Sequence, residues 1–555
     1  MLLKKLKELK KQSVLQLTAM LLAAVFVIVV AACPEEELGG KNEGSSGGNT
    51  ETITNFITGD DALSWGVESQ ASVLTLGLTP GKNTKEINLN WYSSGASTDK
   101  VAQVRFIRGT FTAGTELIEA EEETASATAA GTAYTQHKAT VTGLKPGSSY
   151  QYAVSSDGTN WSKAYNFKVP AATGAFKFAV IADPQLHNST WDTLNRYTPN
   201  TAGSKTAKGW LDTMEKIVAK GVSFIVSGGD QVDTSNNDTT TETEYPLFFA
   251  PEGLRSLPFA PVSGNHDASL TFNYHYNLPN AQTFENESVA TVKGRNYFYL
   301  YNNILFVVLN TAPYPTSTSE ATPYVNNFKL TIQAAKAANT GKYNWLIVQH
   351  HKSTASVADH LADTDIQYYV EAGFEKVMSD EKVDFVLAGH DHVYARSYPL
   401  DGRDGGKVSV PDKSANVGGK APNTYTNPGK PIYLTFTTGS GLKYYAVAAD
   451  KTSKYNNTLY VKNNASYPYL GDIAAGDTST QFGSTAYLTG QYLPVSNAAY
   501  VQPYIPSYTI AEVNGKTIKF STYPIASSSG TTEGATEPHS FTADVAYDWV
   551  QVTKK

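Results

Sequence analysis

The sequence predicts an α/β domain that follows a small all-β sandwich. From residue 176 onwards, short apolar runs alternate with a segment of helical periodicity, which is typical of α/β domains. The predicted strands are Phe176–Ala182, Val222–Ser227, Ile304–Leu309, Trp345–Val348 and Val383–Leu387, and the predicted helix is Lys208–Lys220. Between residues 55 and 170, apolar and polar residues alternate without a long helical period, which indicates antiparallel strands. Two domains of different class are therefore expected.

The length and the charge of the chain limit its function. At 555 residues it exceeds one ordinary hydrophobic core, so two or more folded units are expected. It has 51 acidic and 44 basic residues, a net charge of −7 at pH 7. This charge gives no general attraction to nucleic acid, so no nucleic acid partner is expected, and a small anion needs a local positive site.

The N-terminus has the form of a secretory signal. Five lysines precede an unbroken apolar run of 14 residues, from Ala19 to Ala32, which is short for a membrane span. Cys33, the one cysteine of the chain, follows at once, and Val-Ala-Ala-Cys resembles the bacterial lipoprotein lipobox. The resemblance implies a signal peptide over residues 1–33 and lipidation of Cys33; an uncleaved signal anchor is the alternative. Either alternative places the protein outside the cytoplasmic membrane, anchored to it.

The next two stretches are expected to differ in structure: residues 34–54 should be flexible, and residues 55–170 should be folded. The first stretch is rich in Glu, Gly, Ser and Asn, cannot bury a core, and is expected to be a flexible tether. In the second, residues 142–152, T-G-L-K-P-G-S-S-Y-Q-Y, resemble the corner of fibronectin type III domains where a tyrosine bonds back across a turn. His137 within this sandwich is expected to be an exposed strand residue rather than a ligand.

Residues 402–506 are rich in Gly, Asn, Ser and Tyr and weakly periodic, apart from a predicted strand at Pro431–Thr437. The remainder is interpreted as insertions and loops over the surface of a domain that spans residues 174–555. Its tyrosines either line a substrate mouth or, as we favour, pack the insertion; they are Tyr444, Tyr445, Tyr455, Tyr460, Tyr467 and Tyr469.

Five polar segments stand in the α/β region, each after an apolar run. They are Asp183-Pro184-Gln185, Gly229-Asp230-Gln231-Val232-Asp233, Gly264-Asn265-His266-Asp267, Gln349-His350-His351 and Gly389-His390-Asp391-His392. The carboxyl ends of strands deliver such segments to one edge of an α/β sheet, where ligands bind. Carboxylates, an amide oxygen and imidazoles are ligands for a pair of divalent transition metals, and the lack of further cysteines disfavours structural zinc and iron–sulfur clusters.

These segments resemble the calcineurin-like metallophosphoesterase family, with the pattern D-x-H, G-D-x-x-D, G-N-H-[DE], a later H, and G-H-x-H. The similarity covers residues 176 to about 400, and Gly-His-Asp-His-Val-Tyr-Ala-Arg-Ser is closest to the purple acid phosphatase branch, whose plant-type members carry a similar preceding sandwich. The resemblance implies a four-layer fold, a β-sandwich flanked by helices. It also implies two divalent metals, Mn, Fe or Zn. The first metal would be held by Asp183, Gln185, Asp230 and His392, and the second by Asp230, Asn265, His350 and His390.

The resemblance also implies a chemistry. Two metals balanced by two carboxylates leave a positive site that attracts a small phosphate ester, and a water between the metals becomes the nucleophile. His266 would be the acid that serves the leaving oxygen, and Asp267 would accept its ring N–H and orient it. His351 is expected to point away from the metals.

Two departures from the family pattern matter. Gln185 stands where the family has histidine, which puts the affinity of the first site in doubt, and Asp233 stands where purple acid phosphatases have the tyrosine that gives their colour. The expected function is a surface-anchored phosphoesterase. The alternatives are a binding or adhesion lipoprotein without turnover, or a nucleotidase or phosphodiesterase.

Overall fold

The structure is a computed structural model. It describes residues 73–94, 102–109, 117–119, 127–129, 132–157, 161–187, 205–235, 237–285, 287, 293–358, 360, 363–402, 414–417, 421–445, 497–530 and 539–555. Residues 1–72, which include the expected signal peptide, Cys33 and the expected tether, lie outside these ranges, as do Tyr455, Tyr460, Tyr467 and Tyr469. Of the helices within them, none has the length and apolar character needed to cross a membrane.

The N-terminal part is an all-β sandwich, as predicted. Its strands are β1 (Leu74–Pro80), β2 (Ile87–Ser94), β3 (Gln103–Arg108), β4 (Leu117–Glu119), β5 (Ala127–Ala129), β6 (Thr132–Val141), β7 (Ser149–Ser155) and β8 (Tyr165–Lys168). They form two antiparallel sheets with the orders β1-β2-β6-β5 and β4-β3-β7-β8. Leu89 and Trp91 of one sheet pack with Val104 and Tyr152 of the other in one core. At the predicted corner, the Tyr150 hydroxyl accepts the backbone N–H of Lys145 at 2.7 Å.

His137 is a buried residue of this sandwich, so the expectation that it is exposed was wrong. Its side chain has no exposed surface, a ring nitrogen lies 2.8 Å from Ser93 Oγ, and the ring stacks on Trp91 with 5.2 Å between centroids. Burial lowers the pKa of His137 from 6.5 to about 4. The alternation of β6 did not reveal this, because a neutral imidazole can replace an apolar side chain at an inward position.

The second part contains two seven-stranded mixed sheets. Its strands are β9 (Phe176–Ile181), β10 (Ile225–Ser227), β11 (Phe259–Ala260), β12 (Tyr297–Tyr301), β13 (Ile304–Val308), β14 (Trp345–Lys352), β15 (Phe385–Gly389), β16 (Tyr394–Pro399), β17 (Thr424–Thr426), β18 (Ile432–Thr435), β19 (Asn497–Val501), β20 (Ser507–Asn514), β21 (Thr517–Pro524), β22 (Ser528–Gly530), β23 (His539–Phe541) and β24 (Asp548–Thr553). The sheet orders are β11-β10-β9-β20-β21-β24-β17 and β12-β13-β14-β15-β18-β16-β19, and β22 pairs with β23.

Helices cover the outer face of each sheet. They are α1 (Lys205–Ala219), α2 (Asp238–Phe248), α3 (Thr271–His275), α4 (Thr318–Ala338), α5 (Thr364–Glu371) and α6 (Phe374–Asp380), with a 3₁₀ turn at Glu252–Arg255. Phe178, Phe306, Phe385 and Phe520 pack between the sheets. Trp210 and Phe248 join a core outside the first sheet, and Phe328 and Phe374 one outside the second. The layers are thus helices, sheet, sheet and helices, which confirms the predicted four-layer class.

One helix and two strands differ from the sequence prediction. Helix α1 buries Trp210, Met214 and Ile217 as expected, but Val218 is 48% exposed. Strands β17 and β19 lie inside the stretch interpreted as insertion and loops, and each forms the edge of a seven-stranded sheet. Their side chains are mostly exposed or half-buried, so the apolar alternation that marks a strand is missing.

The sandwich packs on the helices of the first sheet. Tyr92 of β2 donates its hydroxyl to Glu242 Oε1 of α2 at 3.0 Å, and Lys138 Nζ donates to the carbonyl of Asn273 in α3 at 2.9 Å. The sandwich therefore contacts the scaffold of the second domain directly.

Parallel pairing brings the polar segments to one edge. Strands β9, β10 and β11 are parallel neighbours, as are β13, β14, β15 and β18. The two sheets meet where Ala182, after β9, forms an isolated parallel bridge with Thr438, after β18. The carboxyl ends of both parallel sets thus face a common region.

Candidate metal centre

The side chains at this edge stand on strained backbone. Asp183, Gln185, Asp230, His390 and His392 all have φ between 40° and 74°, the left-handed region that non-glycine residues rarely adopt. Such conformations persist where the surrounding structure fixes them, and they concentrate at functional sites. The five candidate ligands are therefore set in position by their loops.

Two glycines let the carboxylates approach the neighbouring loops. A Cβ on Gly389 would lie 2.4 Å from Asp183 Oδ2, and a Cβ on Gly264 would lie 1.9 Å from Asp230 Oδ1. The backbone N–H of His390 donates to Asp183 Oδ1 and Oδ2 at 3.0 and 2.9 Å, and that of His266 to Asp230 Oδ1 at 2.9 Å. Larger residues at either glycine would displace a candidate ligand.

One group of atoms surrounds His351 Nε2. This nitrogen lies 3.2 Å from Asp230 Oδ2, 2.9 Å from Asn265 Oδ1 and 3.1 Å from His390 Nδ1. His351 Nδ1 donates to the carbonyl of Gly228 at 2.8 Å, which leaves Nε2 with its lone pair toward the other three atoms. Two oxygens and two imidazole nitrogens thus converge on one point.

A second group surrounds Asp183. His392 Nε2 lies 3.5 Å from Asp183 Oδ1, while His392 Nδ1 donates to the carbonyl of Lys443 at 2.8 Å. The amide nitrogen of Gln185 donates to Asp230 Oδ2 at 3.3 Å, and its buried Oε1 has no hydrogen-bond partner among the described residues. An unpartnered buried oxygen on a side chain that contacts the Asp230 carboxylate suits a cation.

The choice of His350 as a ligand is corrected by the structure. His350 is buried on the helix side of β14, where its ring lies 4.8 Å from the ring of Phe374. Neither ring nitrogen has a partner within the part of the chain that the structure describes, and burial lowers the pKa of His350 to about 3. Successive side chains of a strand point to opposite faces, so His351, not His350, reaches the site.

Asp267 does not orient the ring of His266 as predicted. Its carboxylate is buried and accepts the backbone N–H groups of Gly264 at 2.9 Å and Gln231 at 3.1 Å. Burial, together with the charge of Asp230, raises the pKa of Asp267 to about 7. The ring of His266 instead bonds through Nδ1 to the carbonyl of Asp233. Asp267 closes the tight turn of its own loop and ties that loop to the one after β10.

Arg295, two residues before β12, holds the same loop. Its buried guanidinium donates to Ser263 Oγ at 2.8 Å, to the Asp267 carbonyl at 2.9 Å and to the Ser269 carbonyl at 2.6 Å. These bonds fix the backbone on both sides of Asn265 and His266.

Comparisons with known proteins give matches to two stretches of the chain. Residues 176–394 match the calcineurin-like phosphoesterase family model, and residues 74–169 match the model of the purple acid phosphatase N-terminal domain. The chain carries a calcineurin-like phosphoesterase domain. A purple acid phosphatase isolated from yellow lupin (Lupinus luteus) seeds has a similar fold, with a TM-score of 0.53 and 14% identity over 87% of this chain and 75% of that one.

Two curated relatives match a smaller share of this chain than the lupin phosphatase does. Uncharacterized proteins from two strains of Mycobacterium tuberculosis are each 23% identical over 349 residues, 60% of this chain. The match spans 63% of the length of those relatives.

His360 is a residue of the phosphoesterase domain that sequence reasoning missed. Its ring lies 4.1 Å from the ring of His390 and 4.8 Å from that of Tyr445, and its Nδ1 lies 2.7 Å from Asp363 Oδ2. His360, Asp363 and His390 form a second cluster whose ligand atoms all lie within 4.8 Å of one another. The only signal in the sequence is a histidine three residues before an aspartate in a loop, which is too common to single out.

The electrostatics of this candidate site favour bound cations. Burial, and then the charge of Asp230, raise the pKa of Asp183 well above its ordinary value. Burial also opposes ionisation of Asp230, but the imidazoles of His351 and His266 hold its pKa below the ordinary value. Burial lowers the pKa of His390 and His392. Neutral imidazoles and adjacent carboxylates are the forms that metal ions bind.

Proposed function

We propose that this protein hydrolyses small phosphate esters with a pair of divalent cations. Asp183, Asp230, His392 and Gln185 would hold the first cation. Asp230, Asn265, His351 and His390 would hold the second, with His351 in the place first given to His350. When bound, the cations would neutralise charge on the phosphoryl group and activate a water molecule.

The convergence at His351 Nε2 is the observation that carries this proposal. Three ligand atoms from three other segments lie 2.9 to 3.2 Å from it, and all four side chains can present a lone pair. Without a cation, this arrangement places electron-rich atoms against each other. A divalent cation of the Mn, Fe or Zn class would satisfy them together.

The charge of the centre supports an anionic substrate. Asp183 and Asp230 would be the only carboxylates among the proposed ligands, so two divalent cations would leave a local positive charge in a protein of net charge −7. This positive site would attract a phosphate group.

His266 would serve the leaving oxygen. The bond from Nδ1 to the carbonyl of Asp233 assigns the proton to that nitrogen, so Nε2 is available to gain a proton and donate it. His266 is 22% exposed, which leaves it open to substrate, whereas Asp267 is buried behind it.

Chelation tests the proposal. We expect purified protein to bind about two divalent cations per chain and to hydrolyse p-nitrophenyl phosphate. EDTA should abolish the activity and Mn or Zn should restore it. Activity that survives exhaustive chelation would exclude the metal mechanism, and metal-loaded protein without any esterase activity would favour a binding lipoprotein.

We also propose export and anchoring through a lipid on Cys33, which rests on the lipobox-like sequence Val-Ala-Ala-Cys. Replacing Cys33 by Ala in a bacterial host should move the protein from the detergent phase to the aqueous phase. Unchanged partition would favour an uncleaved signal anchor.

A further inference from the structure

Helix α2 carries a buried carboxylate, Glu244, that no motif identified. Glu244 Oε2 accepts the backbone N–H groups of Asp233 at 3.2 Å and Thr234 at 2.9 Å. Glu244 Oε1 accepts the Thr234 hydroxyl at 2.6 Å and lies 3.0 Å from His187 Nδ1. The side chain of Glu244 has no exposed surface. A carboxylate is acceptor-only, and here all four contacts come from two loops.

Those two loops are the ones that follow β9 and β10. His187 lies two residues after Gln185, and Asp233 lies three residues after Asp230. Two backbone hydrogen bonds also join the loops. Leu186 N–H donates to the Gln231 carbonyl at 3.1 Å, and Asp233 N–H donates to the Leu186 carbonyl at 3.1 Å. Glu244 therefore fixes these two loops a few residues after the candidate metal ligands Gln185 and Asp230.

The position of Asp233 matters for His266. The carbonyl of Asp233 bonds to His266 Nδ1, and the backbone N–H of Thr234, which belongs to the same peptide unit, donates to Glu244 Oε2 at 2.9 Å. Moving this peptide would break the hydrogen bond of the imidazole. The proton of the ring would then no longer be fixed on Nδ1. The chain of contacts runs from Glu244 through Asp233 to the ring that would serve the leaving group.

We propose that Glu244 is a positioning residue for phosphoester hydrolysis, which holds the Asp233 backbone so that His266 keeps the orientation and tautomer needed to protonate the leaving oxygen. This inference rests on the proposed function. It assigns to α2 a role in the reaction that the family match does not give.

The same helix offers a matched control. Glu242 lies two residues before Glu244 and is also buried, but its carboxylate accepts the Tyr92 hydroxyl at 3.0 Å and contacts His275 Nε2 at 2.9 Å. These partners lie in the sandwich and in α3, not in the loops after β9 and β10. Glu242→Gln therefore changes a buried carboxylate of α2 without changing the contact to Asp233.

The test compares Glu244→Gln with Glu242→Gln in the full-length, metal-loaded protein. Glutamine has one acceptor oxygen instead of two, so it cannot accept the Asp233 N–H, the Thr234 N–H and the Thr234 hydroxyl in the arrangement that the carboxylate holds. We expect Glu244→Gln to lower kcat for phenyl phosphate about 10- to 100-fold, a typical loss for such supporting contacts. The loss should be smaller for p-nitrophenyl phosphate, whose leaving group needs little protonation, with KM for both esters little changed. Glu242→Gln should keep the wild-type ratio of the two kcat values.

A spectroscopic readout separates this inference from the proposed function. The measurement is NMR of ¹⁵N-histidine-labelled protein, in which the His266 signals are assigned by their loss in His266→Ala. These signals should show a proton on Nδ1 in wild type and in Glu242→Gln. In Glu244→Gln they should show a mixture of the two tautomers. Inactive wild-type protein would overturn the proposed function, yet these spectra would still decide the role of Glu244. Unchanged His266 signals, or equal kcat ratios in both variants, would reduce Glu244 to a structural residue. If Glu244→Gln does not fold, Thr234→Val removes one donor and should shift the same ratio less.

Discussion

Acidification should destabilise the sandwich through His137. The folded-state pKa of His137 is lowered to about 4 from 6.5, because burial disfavours the charged ring. Its Nδ1 has no partner among the described residues, so no acceptor compensates a second ring proton. A group with a depressed folded-state pKa contributes stability above its unfolded pKa and loses it as the pH falls. The window therefore runs from about pH 6.5 down to about pH 4.

The size of the effect follows from the same two values. The full difference corresponds to about 3 kcal/mol of unfolding free energy, reached when both states are protonated. At pH 5 the loss should be about 2 kcal/mol, because the unfolded ring is then charged and the folded ring is still largely neutral. A loss of this size is a large share of the stability of a typical domain.

Urea unfolding followed by tryptophan fluorescence at pH 7.5 and pH 5 measures this loss, since Trp91 stacks on His137. The control is His137→Gln, which keeps a hydrogen-bonding group for Ser93 but cannot gain a proton. Wild type should lose about 2 kcal/mol more than the variant between the two pH values. Equal pH dependence in the two proteins would show that protonation of His137 does not destabilise the sandwich.

Three further predictions concern the proposed site. His266→Ala should lower kcat by about 10²- to 10⁴-fold for esters with poor leaving groups and less for p-nitrophenyl phosphate; equal losses measured in parallel assays would mean that His266 positions substrate or stabilises charge instead. Gln185→His should raise first-site affinity for zinc, because imidazole binds zinc better than an amide oxygen does; identical metal titrations of both forms would show that Gln185 does not face the metal. Iron-loaded protein should be colourless, since Asp233 stands at the tyrosine position; a visible charge-transfer band would contradict this.

The α/β class, the preceding all-β sandwich and the strand-end loops follow from local patterns in the sequence, whereas the four-layer arrangement was predicted only through the resemblance to the metallophosphoesterase family. Apolar runs between polar segments such as Gly229–Asp233 place the ligands after strands, and parallel pairing then brings them together. The edge strands β17 and β19 could not be found this way, since strands with one solvent-facing side and few apolar residues resemble loops.

The choice between His350 and His351 shows where sequence patterns fail. In β14, Trp345 and Ile347 face the core between the sheets, whereas Leu346 and Val348 face the helices. Both faces are apolar, as is usual for buried parallel strands, so the sequence does not show which set of alternating residues faces the other sheet. Only the tertiary structure shows that His351 faces the same side as Trp345 and Ile347. The sequence also did not reveal the hydrogen-bond partner of the His266 ring. That partner is the backbone carbonyl of Asp233, and a backbone group leaves no pattern in the sequence.

Metal binding by matched variants of these two histidines tests whether His351, and not His350, holds a metal ion. His350→Phe and His351→Phe should be purified with the wild type, loaded with Mn, and measured for metal content per chain. Wild type and His350→Phe should both bind about two metals. His350→Phe should also unfold at the same temperature or higher, since it replaces a buried ring whose nitrogens have no partner in the described residues. His351→Phe should bind about one metal. Loss of metal from His350→Phe with full binding by His351→Phe would show that His350 is the ligand and that His351 is not.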